Sequence, residues 1–360
     1  MDTGLENIVA AETELSDVNG AQGKLIIRGW LVELLSASMA FEDVAHLLWD
    51  GFFEDLPNAQ ELGVRFGAAR EAAFAALKDD PSQDRFPEQG IVESLRLGWS
   101  GLQDDETLDT AILLAASGPV YTAAAIRRAK GLAPIAPAPD LSMSADFLRM
   151  LTGAEAGQAE ARALDAYLVT VCDHGLNAST FAARVVSSTR AGLTSATIAG
   201  LSALKGPLHG GAPGPVLDML DAIGTPDQAE AWIDGALKRG ERLMGFGHRV
   251  YRVRDPRADA LKAAIHRLPK ATGRIALAEH IEREALGSLR RKYPDRPLET
   301  NVEFYTALLL EALEIPRDAF TAIFASGRVL GWIAHAREQI AEGRLVRPKS
   351  IYRGPVPEAA

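Results

Sequence analysis

With one cysteine in 360 residues, Cys172, the chain has no internal disulfide and cannot build a multi-cysteine zinc site. That scarcity suits a reducing, cytoplasmic setting. Positive charge is also in deficit: 38 Lys and Arg against 48 Asp and Glu leave a net charge of −10. A field of that sign disfavours nucleic acid and anionic membranes as partners, so an anionic ligand has to be caught by a local arginine cluster. The opening "MDTGLENIVAAETELSD" lacks the basic and apolar segments of a secretory signal. The longest charge-free stretch, residues 110–126, is shorter than the ~20 apolar residues of a spanning helix. It reads as a buried core helix broken at Gly118-Pro119.

What is present is helix-forming sequence. Hydrophobic content of 47% and charged content of 24% are ordinary for a globular protein, and the length admits one large domain or two. Residues 8–30 read as a small β element, "IVAAETELS" and "KLIIRGW" around Asn19-Gly20, with a loop longer than two residues. Ala/Leu-rich patterns of 3.6-residue period predict helices over 107–130, 159–172, 178–190 and 192–204. Further helices are expected over 214–222, 226–239, 256–267, 273–291, 301–313 and 317–342. The Pro-rich stretch 131–142 reads as a surface loop. The fold class is mainly α, with strands confined to the N-terminal region.

Three of the seven histidines stand in unusual company: His174 in "CDHGLNAST", His209 in "KGPLHGGAPGP" and His248 in "MGFGHRVYRVRDPR". Glycine beside a histidine lets the backbone approach a ligand and take positive φ, so these read as binding turns at helix ends. His46, His266, His280 and His335 lie within helical patterns and read as surface or satisfied interface residues. Arg249, Arg252, Arg254 and Arg257 form a basic cluster in an acidic chain, and guanidinium forks suit carboxylates and phosphates. Cys172 and His174, two apart, do not face each other on a helix, so the thiol reads as a small core residue. The histidines lack the i,i+4 or E-x-x-H spacing of a metal site, so no metal is expected. In "LETNVEFYTALLL", Thr300 and Glu303 have capping-box spacing, which leaves Glu303 either a cap or a free carboxylate.

Taken together, "DHGLNASTFAARV", "GPLHGGAP", "MGFGHRVYRVRDPR", "NVEFY", "GRVLGWIAH" and "RPKSIYRGP" resemble the motifs of citrate synthases, in the order found there. The N-terminal "ENIVAAETELSDVNGAQGKLIIRGW" resembles that family's opening hairpin. The resemblance implies a two-domain, all-helical fold with a small N-terminal β-hairpin. Residues 1–214 and 314–360 would form the large domain, and 215–313 a smaller one closing over the substrates. It implies that His174 binds oxaloacetate, His209 bonds the thioester carbonyl of acetyl-CoA, and His248 polarises the ketone. Arg257, Arg328 and Arg347 would hold the substrate carboxylates, Arg347 reaching across a homodimer. Arg249, Arg252 and Arg254 are candidates for the CoA phosphates. No cofactor is implied, since the CoA thioester is a substrate. The family's usual base is Asp; here that position is Glu303, which the short bacterial members share. The implied reaction is citrate formation. The alternatives are 2-methylcitrate formation from propionyl-CoA, or a catalytically weak member with a regulatory or binding role.

Overall fold

The computed structural model describes residues 4–5, 8–79, 90–210, 213–269 and 272–355. Strands β1 (Ser16–Asn19), β2 (Lys24–Ile27) and β3 (Trp30–Leu31) form one antiparallel sheet in chain order, with Ser16 opposite Ile27 and Asn19 opposite Lys24. The loop between β1 and β2 has the expected extra length, and Asn19 Oδ1 closes it by accepting from the Gln22 N–H at 3.0 Å. The expected strand segment from residue 8 begins only at Ser16; residues 8–13 have no regular structure.

The rest is helical. Among the described residues the first nine α-helices are α1 (Val32–Ser38), α2 (Phe41–Trp49), α3 (Ala59–Asp79), α4 (Ile91–Ser100), α5 (Leu108–Ala129), α6 (Met143–Thr152), α7 (Gln158–Val171), α8 (Ala178–Ser187) and α9 (Leu193–Leu204). They are followed by α10 (Pro213–Ile223), α11 (Ala229–Lys238), α12 (Pro256–Ile265), α13 (Thr272–Lys292), α14 (Val302–Ala312) and α15 (Phe320–Glu342). Local signals set several of the ends. Thr107 and Asn177 accept backbone N–H bonds as N-caps of α5 and α8, and Asp255 caps α12 with Pro256 at its first position. The loop over 131–142 is as expected.

The expected break at Gly118-Pro119 does not occur, because α5 runs straight through both residues. Its most apolar window is long and apolar enough to cross a membrane, yet 89% of that window is buried inside the protein. A Cβ on Gly118 would come to 3.1 Å from Ser326 Oγ and 3.4 Å from the Trp99 ring. Burial on all sides holds the helix together despite the amide hydrogen that Pro119 lacks.

Helix α15 is the second all-round buried helix and packs on α5, α7, α8 and α9. Gly327 and Gly331, one turn apart, allow it to lie directly on the end of α7. A Cβ at Gly327 would sit 2.8 Å from Leu168 O, and one at Gly331 would run into the Cys172 carbonyl and the Asp173 side chain. This close approach places Arg328, between the two glycines, beside the chain end that carries His174. Gly331→Ala is therefore expected to lower unfolding free energy by about 2–3 kcal/mol, read as a shift of the urea midpoint with unchanged slope. A neutral substitution would mean that α15 and residues 172–173 are free to separate.

Candidate active site

Four short segments converge on one buried space, each held by its own backbone logic. The first is the turn 173–177 leading into α8. Gly175 takes φ +58°, and its N–H donates to Ser16 Oγ at 2.9 Å, so the β-hairpin braces the turn. Ser16 also donates to Asp173. His335, read from sequence as a satisfied histidine, lies buried with Nε2 at 3.2 Å from Asp173 Oδ1 and Nδ1 at 3.1 Å from Arg184. Burial alone would raise the Asp173 carboxyl, but His335, Arg328 and Ser16 reverse this and hold it below the usual carboxylate range.

The second segment carries His209. Its Nε2 accepts from the Ser179 backbone N–H at 3.3 Å and lies 3.0 Å from Ser179 Oγ. With Nε2 occupied as an acceptor, the neutral ring carries its proton on Nδ1. Burial, helped by Arg328 and Arg249, pushes its pKa down to about 4, so the ring is neutral at pH 7.

The third and fourth segments are tied to each other. Gly245 and Gly247, both near φ +85°, bend residues 245–247 against 299–301. Gly247 N donates to Glu299 O at 2.7 Å, Asn301 N to Gly245 O at 2.9 Å, and Asn301 Nδ2 to Gly247 O at 2.8 Å. Asp255 then joins two helix starts: its Oδ1 accepts from Arg257 N at 3.1 Å and its Oδ2 from Val302 N at 3.2 Å. The same carboxylate grips the Arg257 fork through Nε at 3.0 Å and Nη2 at 2.8 Å. This clamp fixes the loop of His248 relative to the first turn of α14. Sequence reasoning quoted "DPR" but assigned Asp255 no role; an Asp before a Pro that opens a helix was the available signal.

His248 is oriented from behind. Its Nδ1 accepts from Val250 N at 3.0 Å and Tyr251 N at 3.1 Å, which leaves the proton on Nε2. Arg257 Nη2 lies 3.3 Å from that Nε2, so two donors aim at one region of space. Burial and the Arg257 charge push His248 down to about 4. His174 lies against His248, ring centroids 5.7 Å apart, with its Nε2 at 3.1 Å from Tyr251 Oη. Burial first, then Arg257 and Arg328, hold His174 well below its ordinary value. Arg328 is buried, with Nε donating to Val171 O at 2.5 Å and no carboxylate within ion-pair distance among the described residues. Burial and Arg257 pull it down to about 10, still fully charged at neutral pH.

Glu303 resolves the two readings of its stretch. The N-cap of α14 is Asn301, whose Oδ1 accepts from Glu303 N at 3.0 Å, while Thr300 Oγ1 donates to Glu282 at 2.7 Å. The Glu303 side chain caps nothing, and its Oε2 is buried without a hydrogen-bond partner. Burial raises its pKa to about 7; Arg257 pulls it down and Asp255 pushes it up.

The other expected residues lie elsewhere. Arg254 is engaged by Asp259 at 2.6 Å and Glu282 at 2.7 Å, so the expectation that it meets a phosphate is not supported by its surroundings. Arg249 and Arg252 are exposed on the His248 loop. Arg347 is exposed in the tail after α15, where the Val346 N–H donates to Ser188 Oγ at 3.1 Å, at the far end of α8 from His174 and His209. Ten helical residues separate those ends by ~15 Å, so one chain does not bring Arg347 to the site. Cys172 is buried and its thiol is pushed far up by burial, so it is no nucleophile. Gly211 and Ala212, in the "LHGGAPG" turn, lie outside the described residues.

The arrangement thus offers cationic donors for a carboxylate-bearing ligand, two neutral imidazole donors, and one carboxylate near neutrality with a free oxygen. A carboxyl whose folded pKa is raised stabilises the fold below its unfolded pKa, and that stability is lost as pH rises through the folded value. Glu303→Gln is therefore expected to stabilise the protein by roughly 2–3 kcal/mol at pH 8.5, with the gain fading as pH falls towards 4.5. Thermal or urea unfolding at several pH values reads this; a pH-independent difference would show that Glu303 is not the titrating group.

Comparison with known proteins identifies the family. Residues 4–349 match the family model described as citrate synthase, C-terminal domain. The chain is 38% identical over 368 residues to citrate synthase 2 of Bacillus subtilis, covering 98% of this chain and 95% of that protein. It is 36% identical over 374 residues to citrate synthase of Haloferax volcanii, covering 98% and 95%. Among solved structures, citrate synthase from Thermotoga maritima superposes with a TM-score of 0.85 at 33% identity, covering 100% of this chain and 98% of that one. Citrate synthase from Thermoplasma acidophilum, solved as a ternary complex with carboxymethyl coenzyme A and oxaloacetate, gives 0.85 at 28% identity, covering 100% and 98%. The chain belongs to the citrate synthase family and is an enzyme of that type.

Proposed function

We propose that this enzyme condenses oxaloacetate with acetyl-CoA and hydrolyses the resulting thioester to citrate and CoA, with Glu303 as the carbon-acid base. The observation that carries the reading is the buried, unpartnered Glu303 Oε2, whose carboxyl is near enough to Arg257 to feel its charge. A thioester methyl is a weak carbon acid, so its deprotonation needs both a positioned base and a donor at the developing enolate oxygen. Glu303, with a pKa of about 7, can take the proton, and His209, locked as the Nδ1–H tautomer, can donate to the thioester oxygen. The enol carbon then attacks a ketone polarised by the His248 Nε2–H and Arg257. Arg328, buried and without a counterion, is matched to a substrate carboxylate, and His174 adds a polar contact. The chemistry asks for no cofactor. Arg249 and Arg252, exposed beside the site, suit the CoA phosphates. Closure of residues 215–313 over the rest would exclude water from the enolate.

The Arg347 tail is assigned to a second copy of the chain, so the active unit is a homodimer. Two tests follow. Purified protein assayed for CoA release should prefer acetyl-CoA to propionyl-CoA, and one methylene is worth ~1–3 kcal/mol, or roughly 10–200-fold in kcat/KM. A clear propionyl preference would replace citrate by 2-methylcitrate as product. Glu303→Ala should lose about 10²–10⁴-fold in kcat, and Glu303→Asp should also be slower, because the pocket places a carboxylate one methylene further out. Activity undiminished in Glu303→Ala would reject the base. Separately, mixing and reassembling the inactive Glu303→Ala and Arg347→Ala proteins should restore about a quarter of wild-type activity if Arg347 crosses between copies. No recovery after verified subunit exchange would place Arg347 outside the site.

A further inference from the structure

Several buried side-chain atoms among the described residues lack a hydrogen-bond partner, and one of them lies on the helix that holds Arg328 Nε. Tyr167, in the middle of α7, is fully buried and its Oη has no hydrogen-bond partner. A buried phenol normally finds a partner, and an orphaned hydroxyl costs more to bury than a phenylalanine of the same shape. Glu303 Oε2 is another such atom, while Asp173 Oδ1 and His335 Nε2, also without hydrogen bonds, lie 3.2 Å from each other as an ion pair. Tyr167 and Val171 are four residues apart and share one face of α7, and Val171 O is the acceptor of the Arg328 Nε–H. Helix α14, which carries Glu303 in its first turn, packs on α7. Tyr167 thus sits on a helix that touches both the Arg328 side chain and the Glu303 helix, and its phenol senses both charges.

We propose that Tyr167 is a positioning residue for Glu303, with one water held between Tyr167 Oη and Glu303 Oε2. Direct contact is absent at hydrogen-bond distance, and a single water satisfies both orphaned atoms at once. Burial keeps the phenol proton well above its ordinary pKa beside the Glu303 carboxyl, so the hydroxyl acts as a donor at all working pH values. A donor toward the carboxylate favours its ionised form and restrains the torsions that Glu has beyond Asp. It works against the burial that raises Glu303, alongside Arg257 and against Asp255. This role rests on Glu303 being the base of the proposed reaction, but the titration it predicts does not require turnover.

The test is Tyr167→Phe, which keeps the ring. The Glu303 titration is read without substrate, by carboxyl infrared difference spectra in which Glu303→Gln identifies the band. Kinetics are measured in parallel with oxaloacetate and acetyl-CoA. The expected result is a Glu303 pKa raised by about one unit, the acid limb of kcat/KM moving up with it, and kcat lowered about five- to tenfold. The oxaloacetate KM should stay within about twofold, and the melting temperature should be unchanged or higher. A shifted titration in a protein without citrate-forming turnover would uphold the pairing and reject the function. An unshifted titration, with kcat within about twofold of wild type, would overturn the proposal. So would a melting temperature that falls sharply in both Tyr167→Phe and the Tyr167→Phe, Glu303→Gln double variant, because it would make the hydroxyl structural.

Discussion

A buried guanidinium with no carboxylate within ion-pair distance among the described residues is the constraint around which the site is organised. Arg328 stands on α15 between two glycines, held through Nε to Val171 O and over the Phe324 ring at 4.8 Å, with Asp173 acting on it without an ion-pair contact. Burying such a charge is costly unless it is paired or bonded. Its field reaches most of the site. It is among the causes that keep His174 and His209 neutral and Asp173 ionised. A carboxylate brought beside it would complete the pair. The close approach of α15 to α7 is what makes this placement possible.

Neutral histidines follow from that electrostatic setting and from backbone geometry together. His209 and His248 are both pushed to about 4, and in each ring one nitrogen accepts from backbone N–H groups. The other nitrogen is then fixed as a donor pointing into the site. Such donors need no reorganisation when negative charge develops on an oxygen placed against them. Asp255 ties these parts together: one carboxylate caps α12, meets the start of α14 and holds Arg257 in a fork.

Much of the fold was legible because its helices carry their own boundary signals. Helices α5, α7 and α9 start and stop within a residue or two of the periodic patterns over 107–130, 159–172 and 192–204. The N-terminal hairpin loop was foreseen from Asn19-Gly20, although the first strand is shorter than the apolar run suggested. At Gly118-Pro119 the local rule failed, since a helix buried on every side is held by tertiary contacts that no local window contains. The turns of His174, His209 and His248 stood out through glycine or cap residues around them. Tyr167, Asp255 and Ser179 did not, because their roles come from contacts across the fold: a tyrosine in an apolar helix reads as core until its hydroxyl is seen to lack a partner. Capping-box spacing at Thr300 likewise could not show that Asn301 takes the cap and releases Glu303.

The proposed chemistry requires Glu303 to remove a proton from carbon. Exchange of the acetyl-CoA methyl hydrogens with deuterated solvent isolates that step, measured by proton NMR with the ketone of oxaloacetate replaced by the alcohol of malate, so that no condensation follows. Wild-type protein should catalyse exchange, with a rate that rises with pH through about 7, and Glu303→Gln should lose it by at least a hundredfold. Exchange that persists at the wild-type rate in Glu303→Gln would contradict the central claim and move the base to another residue.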